Sequence, residues 1–217
     1  MTDGGNREED GWELPRGQMM VYTDTKLGSG AFGAVFKGKI VGVAPRTRHL
    51  PASVAASKGN VEDAFVAIKS LPHYADDAAK ADFLQEINFM KKLGYNEHIV
   101  GLMGCITVDD PVCLLLEFCS DGDLLHYLRQ HNARHKNSLA TGSTQTPAAT
   151  GDDEGEEITA SDVAESPLSA KVLLSFSWQI CDGMVFLGSR GFIHRDLAAR
   201  NVLISNGVIA KAYAYHM

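Results

Sequence analysis

The stretch His194-Arg195-Asp196-Leu197-Ala198-Ala199-Arg200-Asn201 decides how this chain is read. Eight residues hold an imidazole, two guanidinium groups, a carboxylate and a carboxamide, and Val202-Leu203-Ile204 follows as a strand-forming run. A carboxylate in such a loop can accept the proton of a substrate hydroxyl, which makes Asp196 a candidate base. Asn201 offers an amide oxygen to a metal ion, and Arg195 can neutralise a phosphate or a nearby carboxylate. His194 is expected to pack and hydrogen-bond rather than titrate. Each residue alone has an ordinary structural explanation, so the argument rests on what precedes the octapeptide.

Gly28-Ser29-Gly30-Ala31-Phe32-Gly33-Ala34-Val35 has the spacing G-x-G-x-x-G-x-V. Glycines allow a tight turn whose amide groups approach phosphate oxygens. Alone the pattern is weak, and a dinucleotide-binding turn would show it too. That turn should lead into a helix. Here Val35-Phe36-Lys37-Gly38-Lys39-Ile40 reads as a second strand, so a β-hairpin over Val21 to Ile40 is predicted. Val66-Ala67-Ile68-Lys69 then places a lysine on a strand, where it can meet nucleotide phosphates. Phe83, Leu84, Ile87, Met90 and Leu93 recur at helical spacing between Asp76 and Leu93, and Gly94 ends that helix. Glu86 lies beside the buried face of this helix, within reach of Lys69. A lone helix glutamate or strand lysine is usually solvated. The ordered set is what chance does not produce.

Composition sets the outer bounds. The 217 residues suit one or two domains, and 45% are hydrophobic. The net charge of -7 does not point to nucleic acid, whose binding proteins usually show a basic face. Cys105, Cys113, Cys119 and Cys181 lack close pairs and are expected to be buried thiols of a reducing compartment. The longest apolar run, Val112 to Leu116, is well short of the roughly 18 residues a spanning helix needs, so no membrane segment is expected.

Residues 1–11 and 131–166 are rich in small, polar and acidic residues and are expected to be disordered. Residues 41–62 carry Pro45, Pro51 and Gly59 and read as a loop. Strands are expected at Ile99 to Thr107 and Val112 to Phe118 with a turn at Asp109-Asp110-Pro111, then a short helix to Leu128 and a long one from Leu168 to about Leu187. Strands with one helix, followed mainly by helix, give an α+β protein with a β-rich first lobe and a helical second lobe.

These motifs, in this order, resemble the protein tyrosine kinases, and the Ala-Ala-Arg form of the octapeptide is that of receptor-type members. The resemblance runs from about residue 12 to residue 211. Trp12-Glu13-Leu14-Pro15-Arg16, the Gly122-Asp123-Leu124-Leu125 turn before a polar insert, and Phe176 to Met184 are similar to the split-kinase group of platelet-derived and vascular endothelial growth factor receptors. The resemblance implies a bilobal kinase fold. It divides the chain into a juxtamembrane-like segment (12–20), an N-lobe with hinge (21–119), a partial C-lobe (120–130 and 167–217) and a kinase insert (131–166). That insert holds no tyrosine for docking.

The same resemblance implies ATP and Mg2+ as cofactors. Gly28, Gly30 and Gly33 would cover the phosphates, and Lys69 would contact them while paired with Glu86. Leu27, Val35, Ala67 and Leu203 would sandwich the base. Leu116 would be the gatekeeper, and Glu117 to Cys119 the hinge. Asp196 would be the catalytic base, Arg200 would place the substrate tyrosine, and Asn201 would bind metal. Partners would be protein tyrosine substrates and a full-length receptor kinase as dimer partner. The location would be cytoplasmic, at the plasma membrane as part of a receptor.

One departure matters. After Lys211 an Ile-Ala-Asp-Phe-Gly type continuation is expected, but the chain reads Ala212-Tyr213-Ala214-Tyr215-His216-Met217. Ala214 stands where a metal-binding Asp belongs, and the activation segment does not follow. Three readings stay open: an incomplete form of an active tyrosine kinase, a kinase-dead nucleotide-binding or interaction isoform, and a prematurely ended product.

Overall fold

A computed structural model describes residues 11–30, 33–59, 61–141 and 168–214. The expected disordered tail, the hairpin tip at Ala31 and Phe32, most of the polar insert and Tyr215 lie outside the described residues.

Five strands form one antiparallel sheet: β1 (Met19–Gly30), β2 (Gly33–Ile40), β3 (Phe65–Ser70), β4 (Leu102–Ile106) and β5 (Cys113–Glu117), in the order β1-β2-β3-β5-β4. The helix α2 (Asp77–Leu93) starts where the Asp76 side chain accepts from the Ala79 amide, an N-cap, and stops at Gly94, whose φ of 82° suits glycine. Strand alternation then sorts β3 by face. Val66 and Ile68 are fully buried on one side with Leu14, Ile40, Ala44, Met103, Ile106 and Leu115. Ala67 packs on the other side against a core built from Phe83, Ile87, Met90, Leu93, Leu114 and Leu116.

The first of those faces is covered by a part of the chain that sequence reading left as loop. Residues 41–62 are a folded insertion. Pro45–His49 make a 3-10 turn and Ala52–Lys58 a helix, α1, which begins after Pro51 and ends at Gly59. Alanine and serine favour a short helix once packing holds its ends, an effect no local breaker signal reveals. Its base is closed by Ala44 N–H donating to Val61 O and by Gly42 N–H donating to the Asp63 carboxylate. The N-terminal segment docks beside it. Glu13 bridges in parallel to Cys105, its carboxylate accepts from the Thr107 amide and hydroxyl, and the Trp12 and His49 rings stack at 3.9 Å.

The second lobe is built from α3 (Leu124–Thr141), α4 (Ala170–Ser189) and the two-stranded ribbon β6 (Val202–Ser205) and β7 (Ile209–Ala212). α3 runs well past the Leu128 end read from the sequence. α4 is capped by Ser169 and buries Phe176, Gln179, Gly183 and Leu187. By length and composition alone α4 is long and apolar enough to cross a membrane, so the expectation that no segment reaches that length, drawn from the uninterrupted run Val112 to Leu116, does not hold for α4. Its inward residues pack on β7 and β6, while Leu174, Trp178 and Val185 face outward. The lobes are joined through β7: Val100 N–H donates to Ala212 O and Ala212 N–H to His98 O.

Three cysteines are buried as expected, but Cys181 is exposed on α4. Burial, with the Glu117 charge beside it, pushes the Cys119 thiol up to about 12. At pH 8 its thiolate fraction is on the order of one in ten thousand, and the thiolate is the reactive form. Thiol titration of the native protein is therefore expected to modify Cys181 alone at first. Cys105, Cys113 and Cys119 should react only after denaturant is added, and rapid native labelling of Cys119 would contradict this placement.

Candidate active site

The sheet register aligns the residues singled out in the sequence. Val35 is opposite Lys69, and Ala67 is opposite Leu116. These pairs share the face turned toward α2 and the second lobe. Leu203, on β6, packs against the same core cluster from below. Leu27 is exposed on β1, with Gly28, Gly30 and Gly33 following in the hairpin. Gly33, at φ 117°, holds a conformation that a side chain would strain. Cys119 lies just past β5, and its amide donates to no other described residue. Together they outline a face beneath the glycine hairpin, with apolar side chains across it and the Cys119 backbone at its rim.

At its inner end lies a buried ion pair. Lys69 Nζ donates to Glu86 Oε1 at 2.8 Å and Oε2 at 2.7 Å. Lys69 is 3% exposed and Glu86 2%. The Phe83 ring lies 5.6 Å from the ammonium. Burial holds the Lys69 pKa below the ordinary lysine value, and the Glu86 charge and hydrogen bonds oppose that. A third group, unforeseen in the sequence, completes the carboxylate: Tyr213 Oη donates to Glu86 Oε1 at 2.8 Å.

The octapeptide forms the facing side. Arg200 Nη2 donates to Asp196 Oδ1 at 2.7 Å, and Asn201 Nδ2 donates to Asp196 Oδ2 at 2.8 Å and to its carbonyl at 2.9 Å. Asp196 stays about half-exposed, so an incoming hydroxyl can reach it. Arg195 adopts φ 61°, a left-handed conformation that non-glycine residues keep at some cost. Its side chain takes no part in this network, and His194 is buried with neither ring nitrogen hydrogen-bonded to a described residue, so it packs but does not make the expected hydrogen bond. Tyr213 N–H donates to Asn201 O at 2.8 Å, tying the end of β7 to this loop.

A sequence profile for protein tyrosine and serine/threonine kinases matches residues 21–213. The chain belongs to this kinase family. Its bilobal architecture is accordingly a kinase fold, with the β-rich N-lobe described above. Related proteins include one from Caenorhabditis elegans named as a tyrosine-protein kinase, 37% identical over 207 residues, covering 94% of this chain and 22% of that protein. Fibroblast growth factor receptor homolog 2 of Drosophila melanogaster is 31% identical over 203 residues, covering 94% and 17%. The macrophage colony-stimulating factor 1 receptor of Felis catus is 30% identical over 237 residues, covering 92% and 22%. The kinase chain thus spans about a fifth of the length of these relatives and is related to receptor tyrosine kinases.

The residues suit the two expected cofactors unequally. An adenine nucleotide would find apolar side chains for its base at Val35, Ala67 and Leu203, a donor in the Cys119 amide and an ammonium for its phosphates at Lys69. Magnesium does not fit the described residues. Asn201 keeps its amide oxygen, but Ala214 is buried and supplies no ligand atom. No group of three or more His, Cys, Asp or Glu among the described residues could hold a cation. Hard cations need several oxygen ligands, so one carboxamide is not a site.

Sequence reading missed a charged cluster at the end of β5. Arg46, from the insertion, meets Glu117 Oε2 at 3.1 Å, and Lys211 meets Glu117 Oε1 at 3.2 Å while donating to Glu97 O at 2.6 Å. Burial alone would raise the Glu117 carboxyl, but the Arg46 and Lys211 charges outweigh it and hold the pKa below the usual range. Gly101 makes room: a Cβ there would lie 2.2 Å from Arg46 Nη1. Nothing local in residues 41–62 signals this, because it depends on the insertion folding back.

Proposed function

We propose that this chain is the nucleotide-binding part of a receptor-type protein tyrosine kinase of the split-kinase group. The buried Lys69–Glu86 pair beneath the glycine hairpin carries the reading. A buried charge pair is costly to assemble and usually neutral or worse for stability, so its placement at a cleft favours a functional explanation. Gly28, Gly30 and Gly33 cover the phosphates of ATP, and Lys69 contacts them. Leu27, Val35, Ala67 and Leu203 hold the base, Leu116 guards the back of the cleft, and Glu117 and Cys119 form the hinge.

In a form with a carboxylate at position 214, the chain's relatives imply transfer of the γ-phosphate to protein tyrosines. Asp196 would then take the hydroxyl proton, Arg200 would hold the tyrosine and Asn201 would serve the metal, which supplies charge neutralisation at the phosphates. The natural setting is the cytoplasmic face of the plasma membrane, with a full-length receptor as dimer partner. For the chain as it stands, Ala214 favours a second reading, nucleotide binding with little or no transfer.

Fluorescent-nucleotide titration separates these. ATP binding that changes less than about twofold when magnesium is chelated, and that falls at least about tenfold in Lys69→Met, is expected of the second reading. Phosphate transfer to a tyrosine copolymer would establish the first. No saturable binding at all would sink both.

A further inference from the structure

We propose that the Tyr213 hydroxyl is a positioning group that holds the Glu86 carboxylate on Lys69 and couples this pair to the Asp196 loop. The idea deepens the nucleotide-binding reading, since it concerns the residue expected to meet the phosphates. Glu86 Oε1 accepts from two donors at 2.8 Å each, Lys69 Nζ and Tyr213 Oη, and among the described residues Oε2 accepts from Lys69. The carboxylate is almost fully buried. Buried carboxylates offer about four acceptor sites, and leaving them unfilled is costly. Three elements distant in sequence therefore meet on one side chain: β3, α2 and the end of β7.

Tyr213 is itself anchored. Its amide donates to Asn201 O, and the Asn201 side chain donates to Asp196. A continuous run of hydrogen bonds thus links Asp196, Asn201, Tyr213, Glu86 and Lys69 across both lobes. The ring also packs on the core beside α2, and phenylalanine would do that equally well. Only the hydroxyl reaches the carboxylate, and that separates positioning from packing.

The test uses the full chain, wild type and Tyr213→Phe, with trace acetic anhydride at about pH 8 and mass-spectrometric readout of Lys69 acetylation against exposed Lys80. Loss of the hydroxyl lets Glu86 disengage, so Lys69 should react about threefold faster or more while Lys80 is unchanged. In a Glu86→Gln background the same substitution should have no further effect. An unchanged Lys69 rate would mean the tyrosine only packs. A slower rate would mean it only draws charge from Glu86. Either result overturns the proposal. If Tyr213→Phe loses its cooperative melt, Tyr213→Met fills the space without a donor and serves instead. ATP protection of Lys69 in the wild type is scored separately: its absence refutes the nucleotide reading, whereas the Tyr213→Phe ratio judges the hydroxyl alone.

Discussion

Glu86→Ala is expected to lower folding stability by about 3–5 kcal/mol, because it strands the Lys69 ammonium in a buried site. That is a large share of the roughly 5–15 kcal/mol that holds a domain together. Urea unfolding at constant ionic strength measures it. The pH dependence is the sharper signature. Burial already depresses Lys69, and Glu86 supplies the only causes that raise it. Without Glu86 the folded pKa drops further below the unfolded value of about 10.4. Between those two values the unfolded chain binds more protons, so stability rises with pH. The variant should therefore gain stability from about pH 7 to pH 9 more steeply than wild type. A pH-independent loss would mean that Lys69 is rehydrated rather than stranded. ATP binding should be lost together with stability, and Glu86→Gln, which keeps a polar partner, should lose less of both.

Arg46→Ala is expected to cost about 2–4 kcal/mol at neutral pH, since it removes one of two cations from the Glu117 carboxylate and empties the space over Gly101. Glu117 is depressed in the folded state, so its contribution is present above the unfolded value of about 4.3 and fades as pH falls through the folded value. With Arg46 gone, the folded pKa moves up. The difference between wild type and variant should thus be largest near neutrality and shrink below about pH 4. Gly101→Ala should show the same pH signature, because its methyl group displaces the same guanidinium. Paired melts at about pH 7 and pH 3.5 decide it. An equal loss at both would show that Arg46 matters for packing alone.

Much of this was legible because chemistry and periodicity agreed. The hairpin, the lysine strand, α2 with its helical spacing and Gly94 stop, and the octapeptide were each read from local signals, and the sheet register brought Val35, Lys69, Ala67 and Leu116 to one face. What stayed hidden depends on distant contacts. Ala52–Lys58 is too short to declare itself a helix, and Arg46 gains meaning only beside Glu117. Tyr213 sat in a stretch whose pattern had broken down, and no spacing rule connects it to Glu86, 127 positions earlier. Cys181 looked like its buried neighbours because α4 is apolar on more than its inner face.

The sheet with its two covered faces has a consequence for backbone exchange with heavy water. β3 lies between α2 on one side and the insertion on the other, with β2 and β5 closing its edges. Its amides can open only when the whole lobe does. β1 is an edge strand with mostly exposed residues, so its outward amides should exchange early. Deuterium uptake should therefore fall steeply from β1 to β3, across a single intervening strand. The nucleotide would thus be gripped between a wall that almost never opens and a cover that opens often.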